Sequence, residues 1–170
     1  SWERISPDLT TNDLLKQRQE YSGGVTVDNS AAETHTTIYT ISESPRSAGT
    51  IWVGTDDGNV QLTRDAGKTW SNAGTPLHRG KDALPQASWV SWVEASRHDA
   101  ATAYAAFDRH TFGDFAPYLY VTRDHGKTWQ PLVTAANAKG VRGYAHVVKE
   151  DAQRPDLLFL GTEFGLWISI

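Results

Sequence analysis

The chain spells one phrase twice, LTRDAGKTW from Leu62 to Trp70 and VTRDHGKTW from Val121 to Trp129. A repeat of fixed period constrains architecture more than any single motif, because each copy must be one supersecondary unit that buries its faces against its neighbours. Trp70 and Trp129 stand 59 residues apart, and the same order of segments precedes each. In the first copy the apolar run His35 to Ile41 leads through a polar turn to Thr50-Ile-Trp-Val-Gly, then Asp56-Asp57-Gly58, then Asn59-Val-Gln-Leu-Thr. The second runs Ser88-Trp-Val-Ser-Trp-Val, Thr102-Ala-Tyr-Ala-Ala-Phe, an insertion from Asp108 to Ala116, and Tyr118-Leu-Tyr-Val-Thr.

Partial copies flank these two. Ser1-Trp2-Glu-Arg-Ile-Ser matches Thr69-Trp70-Ser-Asn-Ala-Gly, and Leu157-Leu-Phe-Leu-Gly-Thr-Glu-Phe-Gly-Leu-Trp-Ile-Ser matches the segment from Ile51 to Thr63. The expected organisation is the last strand of a preceding unit (1–6), a unit at 35–73, a unit at 88–133 and three strands of a following unit at 143–170. Short runs of Val, Ile, Tyr, Trp and Thr between Gly, Asp and Pro predict an all-β fold. Four-stranded units at this period predict an arc of about three blades of a β-propeller. One helix is expected, Asp13 to Tyr21, with Thr11 or Asn12 as N-cap and Gly23 after its end.

Gly-Lys-Thr invites a phosphate-binding reading, which the flanks exclude. A P-loop needs glycine five residues before this tripeptide and a helix after it. Leu62 and Val121 occupy the first place, and Ser-Asn-Ala-Gly or Gln-Pro-Leu-Val follows the tryptophan. The net charge of -4 carries no basic footprint for nucleic acid. No apolar run reaches the length of a membrane-spanning helix, so no membrane insertion is expected. Cysteine is absent, which excludes disulfides and thiolate metal sites, and methionine is absent too, so Ser1 reads as a cut end.

The repeated phrase is chemically a turn. Asp65 and Asp124 can accept from backbone amides of their own hairpins, Gly67 and Gly126 permit positive φ, and Thr63 and Thr122 can join the network. Trp70 and Trp129 are expected to cover the hairpins with their N–H groups outward. Lys68 and Lys127 are read as solvated, and His125 as tolerating a turn position. Thr-x-Asp-x-Gly-x-x-Trp is the Asp-box, and the chain resembles the bacterial neuraminidase repeat (BNR) β-propellers. It is most similar to the bacterial sortilin-like proteins often labelled glycosyl hydrolases. The resemblance rests on the segments beginning at Ile51, Pro117 and Leu158, and implies that the boxes are structural.

In such propellers, ligands use the face carrying the second-to-third strand turns and the inter-blade connections. That face would present Asp56 and Asp57, then Asp108, Arg109, His110 and Asp114, then Glu163, with an acidic residue recurring at the end of each second strand. Phe112, Phe115 and Phe164 could supply stacking faces, and a carboxylate pair such as Asp108 and Glu163 could do acid/base work on a glycosidic bond. Asp and Gly equally make tight turns, which is the plainer account of Asp56-Asp57-Gly58. The long connections Ser6 to Glu33, Asn72 to Ala87 and Thr134 to Arg142 add His35, His78, Arg79, Lys81, Asp82 and Arg142.

No two histidines have ligand spacing on one element, so neither a metal nor a cofactor is expected. Arg79, Arg109 and Arg142 could supply the cationic cluster of a sialidase, but no matching motif surrounds them. The expected role is structural, or protein or glycan binding (carbohydrate binding among them), by a secreted, periplasmic or cell-surface propeller segment; part of a xyloglucanase- or sialidase-like glycoside hydrolase is the alternative. The expected partners are the remaining blades, because three units cannot close a ring and would leave blade faces exposed. Either the chain is an arc of a larger ring, or two copies make six blades.

Overall fold

A computed structural model describes residues 1–18 and 35–169. Among these residues eleven strands run in chain order: β1 (Ile38–Glu43), β2 (Ile51–Thr55), β3 (Val60–Thr63), β4 (Ser71–Asn72), β5 (Trp89–Ala95), β6 (Ala103–Arg109), β7 (Asp114–Thr122), β8 (Gln130–Val133), β9 (Ala145–Glu150), β10 (Leu158–Thr162) and β11 (Gly165–Ser169). They form three antiparallel meanders, β1-β2-β3-β4, β5-β6-β7-β8 and β9-β10-β11. These are the blades of a propeller arc.

Alternation along the middle blade explains the packing, since successive strand residues point to opposite faces. Ala103, Ala105 and Phe107 of β6 and Tyr118 and Tyr120 of β7 join Trp52, Val60 and Leu62 in one core between the first and second blades. Tyr104 and Ala106, with Leu119 and Val121, join Val148, Leu158 and Leu160 in another between the second and third. Trp52 and Phe107 are fully buried, and each contributes roughly 2–3 kcal/mol relative to exposure. The outer faces of the arc stay open: Tyr39 and Ile41 on the first blade and Leu166 and Ile168 on the third are exposed.

Both Asp-boxes fold alike. Thr63 Oγ1 donates to Asp65 Oδ1 at 2.8 Å and accepts from the Gly67 amide at 2.9 Å, while Asp65 takes the Thr69 amide and hydroxyl at 2.8 and 2.6 Å. Thr122, Asp124, Gly126 and Thr128 repeat this pattern. Ala66 and His125 hold the positive φ between aspartate and glycine, at 59° and 58°. Lys68 and Lys127 are exposed.

The tryptophans correct one expectation. Their N–H groups do not point outward; each bonds a backbone carbonyl of the preceding segment, Trp70 to Ile5 at 3.0 Å and Trp129 to Ala73 at 2.8 Å. An indole N–H under a packed ring needs an acceptor, and the neighbouring backbone supplies it.

Ile5 and Ala73 each lie three residues after a tryptophan, Trp2 and Trp70, and Leu9 and Leu77, seven residues after, are both buried. The opening segment therefore lies on the first blade as the β4 end lies on the second. Ser1 to Ser6 itself pairs with no strand among the described residues, and Trp2 is fully exposed. The expected helix is a single turn through Leu14–Gln17, where the Lys16 and Gln17 amides donate to the Asp13 carbonyl. Asp13, rather than Thr11 or Asn12, caps that turn through the Leu15 amide; the rest of the expected helix, from residue 19 on, lies outside the described residues.

Candidate functional site

The second-to-third turns and the inter-blade connections meet on one face, and each turn ties down the connection entering its own blade. Asp56 accepts from the Thr37 amide and hydroxyl at 2.8 Å each, with His35 Nδ1 at 3.5 Å. Arg109 donates to the Gln86 carbonyl at 2.8 Å and to Ser88 Oγ at 3.0 Å. Thr162 Oγ1 donates to the Arg142 carbonyl at 2.7 Å.

The recurring acidic position is thus occupied in three different ways. Asp56 and Asp57 are buried; Asp57 accepts from Thr55 Oγ1 on one oxygen and from the Thr11 amide and hydroxyl on the other, at 2.6 and 2.7 Å. Asp108, also buried, is held by the His110 amide and Nδ1, each at 2.8 Å from Oδ1. Glu163 is exposed and makes no hydrogen bond among the described residues. A buried carboxylate requires donors: the segments entering the first blade supply them to Asp56 and to one oxygen of Asp57, and local turn groups supply them to its other oxygen and to Asp108.

Asp108 to Ala116 is not the long open loop its length suggests. β6 continues to Arg109 and β7 begins at Asp114, so the excursion shrinks to one 3₁₀ turn, His110–Phe112, closed by Gly113 at φ 73°. Asp114 anchors it by accepting from Arg109 Nε at 3.2 Å, the Ala116 amide and the Tyr118 hydroxyl at 2.8 Å. Burial first, and then the bond to Asp114, push the Tyr118 phenol up to about 12. Arg109 also caps the exposed Phe112 ring at 4.9 Å.

Between the second and third blades, this turn meets the start of β9. His110 stacks on Tyr144 with ring centroids 4.8 Å apart, Tyr144 lies 4.6 Å from His146, and Phe115 approaches Tyr144 at 6.2 Å. Glu163 and Phe164 sit against Gly143, at the edge of the same group. Burial, followed by the charges of Glu163 and Asp108, raises the Tyr144 phenol above its ordinary value. The result is a four-ring platform flanked by two carboxylates.

The structure therefore gathers Asp108, His110 and Glu163 around Tyr144, while Arg109, with Phe112 against it, reaches Gln86 and Ser88, and Asp56 and Asp57 lie apart at the first blade. Asp57 instead borders a polar cleft of about 400 Å³ with Asn59, Asn72, His78, Arg79 and Gln86. Sequence reasoning missed Tyr144 and His146, the centre of the platform. Their signal was available, since an aromatic and a histidine straddle Ala145 where an inter-blade connection delivers the chain to a first strand. No grouping of three or more His, Asp and Glu suited to a metal occurs among the described residues.

With this geometry in hand, the likenesses to known proteins are consistent. Residues 120–131 match the BNR/Asp-box repeat family. Over 117 residues the chain is 35% identical to a vacuolar protein sorting/targeting protein 10 of the fungus Arthroderma gypseum, a match covering 62% of this chain and 7% of that protein. Among solved structures, an ancestral GH74 enzyme superposes with a TM-score of 0.58 at 15% identity, covering 79% of this chain and 17% of that one. YCF48 from Cyanidioschyzon merolae gives 0.52 at 19%, covering 78% and 33%, and a YCF48 bound to D1 peptide gives 0.53 at 18%, covering 78% and 37%.

The fold is an arc of a β-propeller carrying two Asp-box turns; a vacuolar sorting protein is similar to it in sequence, and the solved structures are similar in fold alone. The chain spans a small part of the length of each relative it matches. No described helix is long and apolar enough to cross a membrane.

Proposed function

We propose that this arc is a binding segment of an extracytoplasmic propeller, holding a glycan against the platform of His110, Phe115, Tyr144 and His146. One observation carries the reading: a cluster of partly exposed rings, His110 stacked on Tyr144 and Phe115 and His146 tilted to it, beside the carboxylates of Asp108 and Glu163, on the face where the connections converge. A sugar presents apolar C–H faces to rings and hydroxyls to an exposed carboxylate such as Glu163, while Asp108 holds the His110 ring in place. The sorting-type relative supports the extracytoplasmic reading, and the peptide-bound YCF48 supports binding at a propeller of this fold.

Hydrolysis of a glycoside by Asp108 and Glu163 is the second reading, favoured by both carboxylates lying near Tyr144. Both oxygens of Asp108 are engaged by His110, at 2.8 and 2.7 Å, which leaves it poorly placed to exchange a proton with substrate. Calorimetric titration with xyloglucan- and cello-oligosaccharides is the test. Tyr144→Ala should weaken binding about tenfold, or about 1.4 kcal/mol. Equal affinity in wild type and variant would remove the platform from consideration. Turnover of an aryl glycoside, lost in Asp108→Ala and Glu163→Ala, would establish the hydrolase.

A further inference from the structure

Twice in this chain a cation lies over an aromatic face with a carboxylate beside it. Lys149 Nζ sits 4.4 Å from the centroid of the Trp92 ring and donates to Glu94 Oε2 at 2.7 Å, and the Trp92 N–H donates to the same oxygen at 3.2 Å. The Arg109 guanidinium sits 4.9 Å from the centroid of Phe112 and donates through Nε to Asp114 Oδ2 at 3.2 Å. The negative face of a ring attracts the cation and the carboxylate balances its charge, so the two together hold a charged group that either alone would hold weakly.

Tyr144 is the centre of a third group of rings beside a carboxylate. His110 lies nearly parallel to it, at 26°, while His146 and Phe115 are inclined to it by 57° and 55°. Glu163 adjoins the group through the backbone: a Cβ on Gly143, the residue before Tyr144, would fall 3.2 Å from Glu163 Cβ and 2.9 Å from Phe164 Cδ2. Asp108 is engaged by His110 on both oxygens, which leaves Glu163 as the exposed carboxylate of the group. Among the described residues no lysine or arginine lies over Tyr144 or Phe115, and neither Arg142 nor any other cation pairs with Glu163.

We propose that the ligand of this platform brings the cation itself: an amino sugar, whose ammonium group lies against Tyr144 and Phe115 with Glu163 as its counter-charge. The proposal rests on the glycan reading above and narrows it. A neutral pyranose needs a flat ring surface to lie on, and rings inclined by 55° and 57° make no common floor. A compact ammonium group is attracted to each ring face it meets. The exposed carboxylate adds to that attraction and disfavours an acidic sugar, whose charge would face its own kind.

Calorimetric titration at about pH 8, where an ordinary imidazole is neutral, compares two chito-oligosaccharides of one length, N-acetylated and N,N,N-trimethylated. The second carries a fixed positive charge. The wild-type chain should bind the trimethylated sugar about tenfold more tightly than the acetylated one. Tyr144→Ala should weaken both. Glu163→Gln, which keeps an oxygen for a sugar hydroxyl, should bring the ratio of the two affinities to within about threefold. Equal wild-type affinities, with both sugars lost in Tyr144→Ala, would overturn the ammonium preference and leave the glycan platform standing. Binding of neither sugar would overturn the preference too, and the titration with xyloglucan- and cello-oligosaccharides then decides whether the platform holds a glycan at all. A tenfold preference that survives both substitutions would put the cation elsewhere on this acidic chain, of net charge -4, and would also overturn the proposal.

Discussion

On the box face of this arc, the same residues do the same thing twice. On the loop face, one recurring acidic position does three different things. Thr63, Asp65, Gly67 and Thr69 find their hydrogen-bond partners within four residues, so repeating the phrase repeats the geometry. Asp56, Asp108 and Glu163 meet unlike surroundings: a threonine and a histidine from the entering connection, a histidine of an enlarged turn, and no hydrogen-bonding partner among the described residues. Sequence repetition transmits structure where the bonds are local. Where partners come from connections of unequal length, it transmits only the position.

The strongest way to break this contrast is to disturb the seat of a box on the segment before it. Gly126→Val adds a Cβ 2.5 Å from Ala73 Cβ at a φ of 76°, whereas Gly113→Val adds one at a similar φ of 73° with nothing within 4 Å. The first should cost on the order of 3 kcal/mol or more, through overpacking and backbone strain together. The second should cost only about 1–2 kcal/mol, for the left-handed backbone. Urea unfolding of both measures the difference. If the two costs were equal, the inter-blade seat would contribute nothing beyond its backbone conformation.

A smaller effect separates the acidic residues of the loop face. Asp57→Ala leaves the Thr11 amide and the Thr55 hydroxyl without their acceptor and should cost about 1–3 kcal/mol. Glu163→Ala removes an exposed group and should stay within about 0.5 kcal/mol. Oligosaccharide affinity should respond in the reverse order, with Glu163→Ala weakening it and Asp57→Ala leaving it unchanged. Loss of affinity in Asp57→Ala would move the site to the polar cleft at the first blade.

This division also explains what the sequence could reveal. Strand order, the box turns and the kinship of Ile5 with Ala73 were legible because each follows from spacing within a repeat. The indole acceptors were not, since a carbonyl 65 residues away from Trp70 leaves no mark in a local pattern. The hairpin at Asp108 was hidden because Asp114 organises it through Arg109 and Tyr118, so that a run counted as loop is mostly strand. Tyr144 and His146 were passed over because their meaning depends on His110, which only the blade-to-blade packing brings near.

Acid titration sharpens the account of the box itself. Bonds from the Thr69 side chain and amide, and then from Thr63, hold the Asp65 carboxyl down to about 2 from an ordinary 3.8. A carboxylate whose folded pKa is depressed adds stability above its unfolded value and loses it as pH falls through the folded one. The box contribution should therefore be complete above about pH 5 and fade between pH 4 and pH 2. Thr69→Val removes the leading cause, so its deficit in melting temperature should be present at pH 5 and narrow by pH 2. A deficit that does not change with pH would mean that the threonine acts by packing rather than through the carboxylate.

The smallest expected effect tests whether the two boxes are as alike as their bonds suggest. Ala66 and His125 occupy the same left-handed position, at φ 59° and 58°, and each amide donates across the turn below, to the Gly49 and Ala101 carbonyls at 3.0 and 2.9 Å. Glycine at either place removes the steric cost of a Cβ at positive φ but adds freedom to the unfolded chain. Ala66→Gly should therefore gain about 0.5 kcal/mol. His125→Gly also removes a ring whose buried Nδ1 has no hydrogen-bond partner among the described residues and whose pKa burial lowers. Its gain should be larger, because an unsatisfied buried nitrogen costs more than its absence. Thermal melts of the two variants at pH 7 decide the point. A loss in His125→Gly beside a gain in Ala66→Gly would show that the histidine ring packs usefully between box and blade, and that the second box is more than a copy of the first.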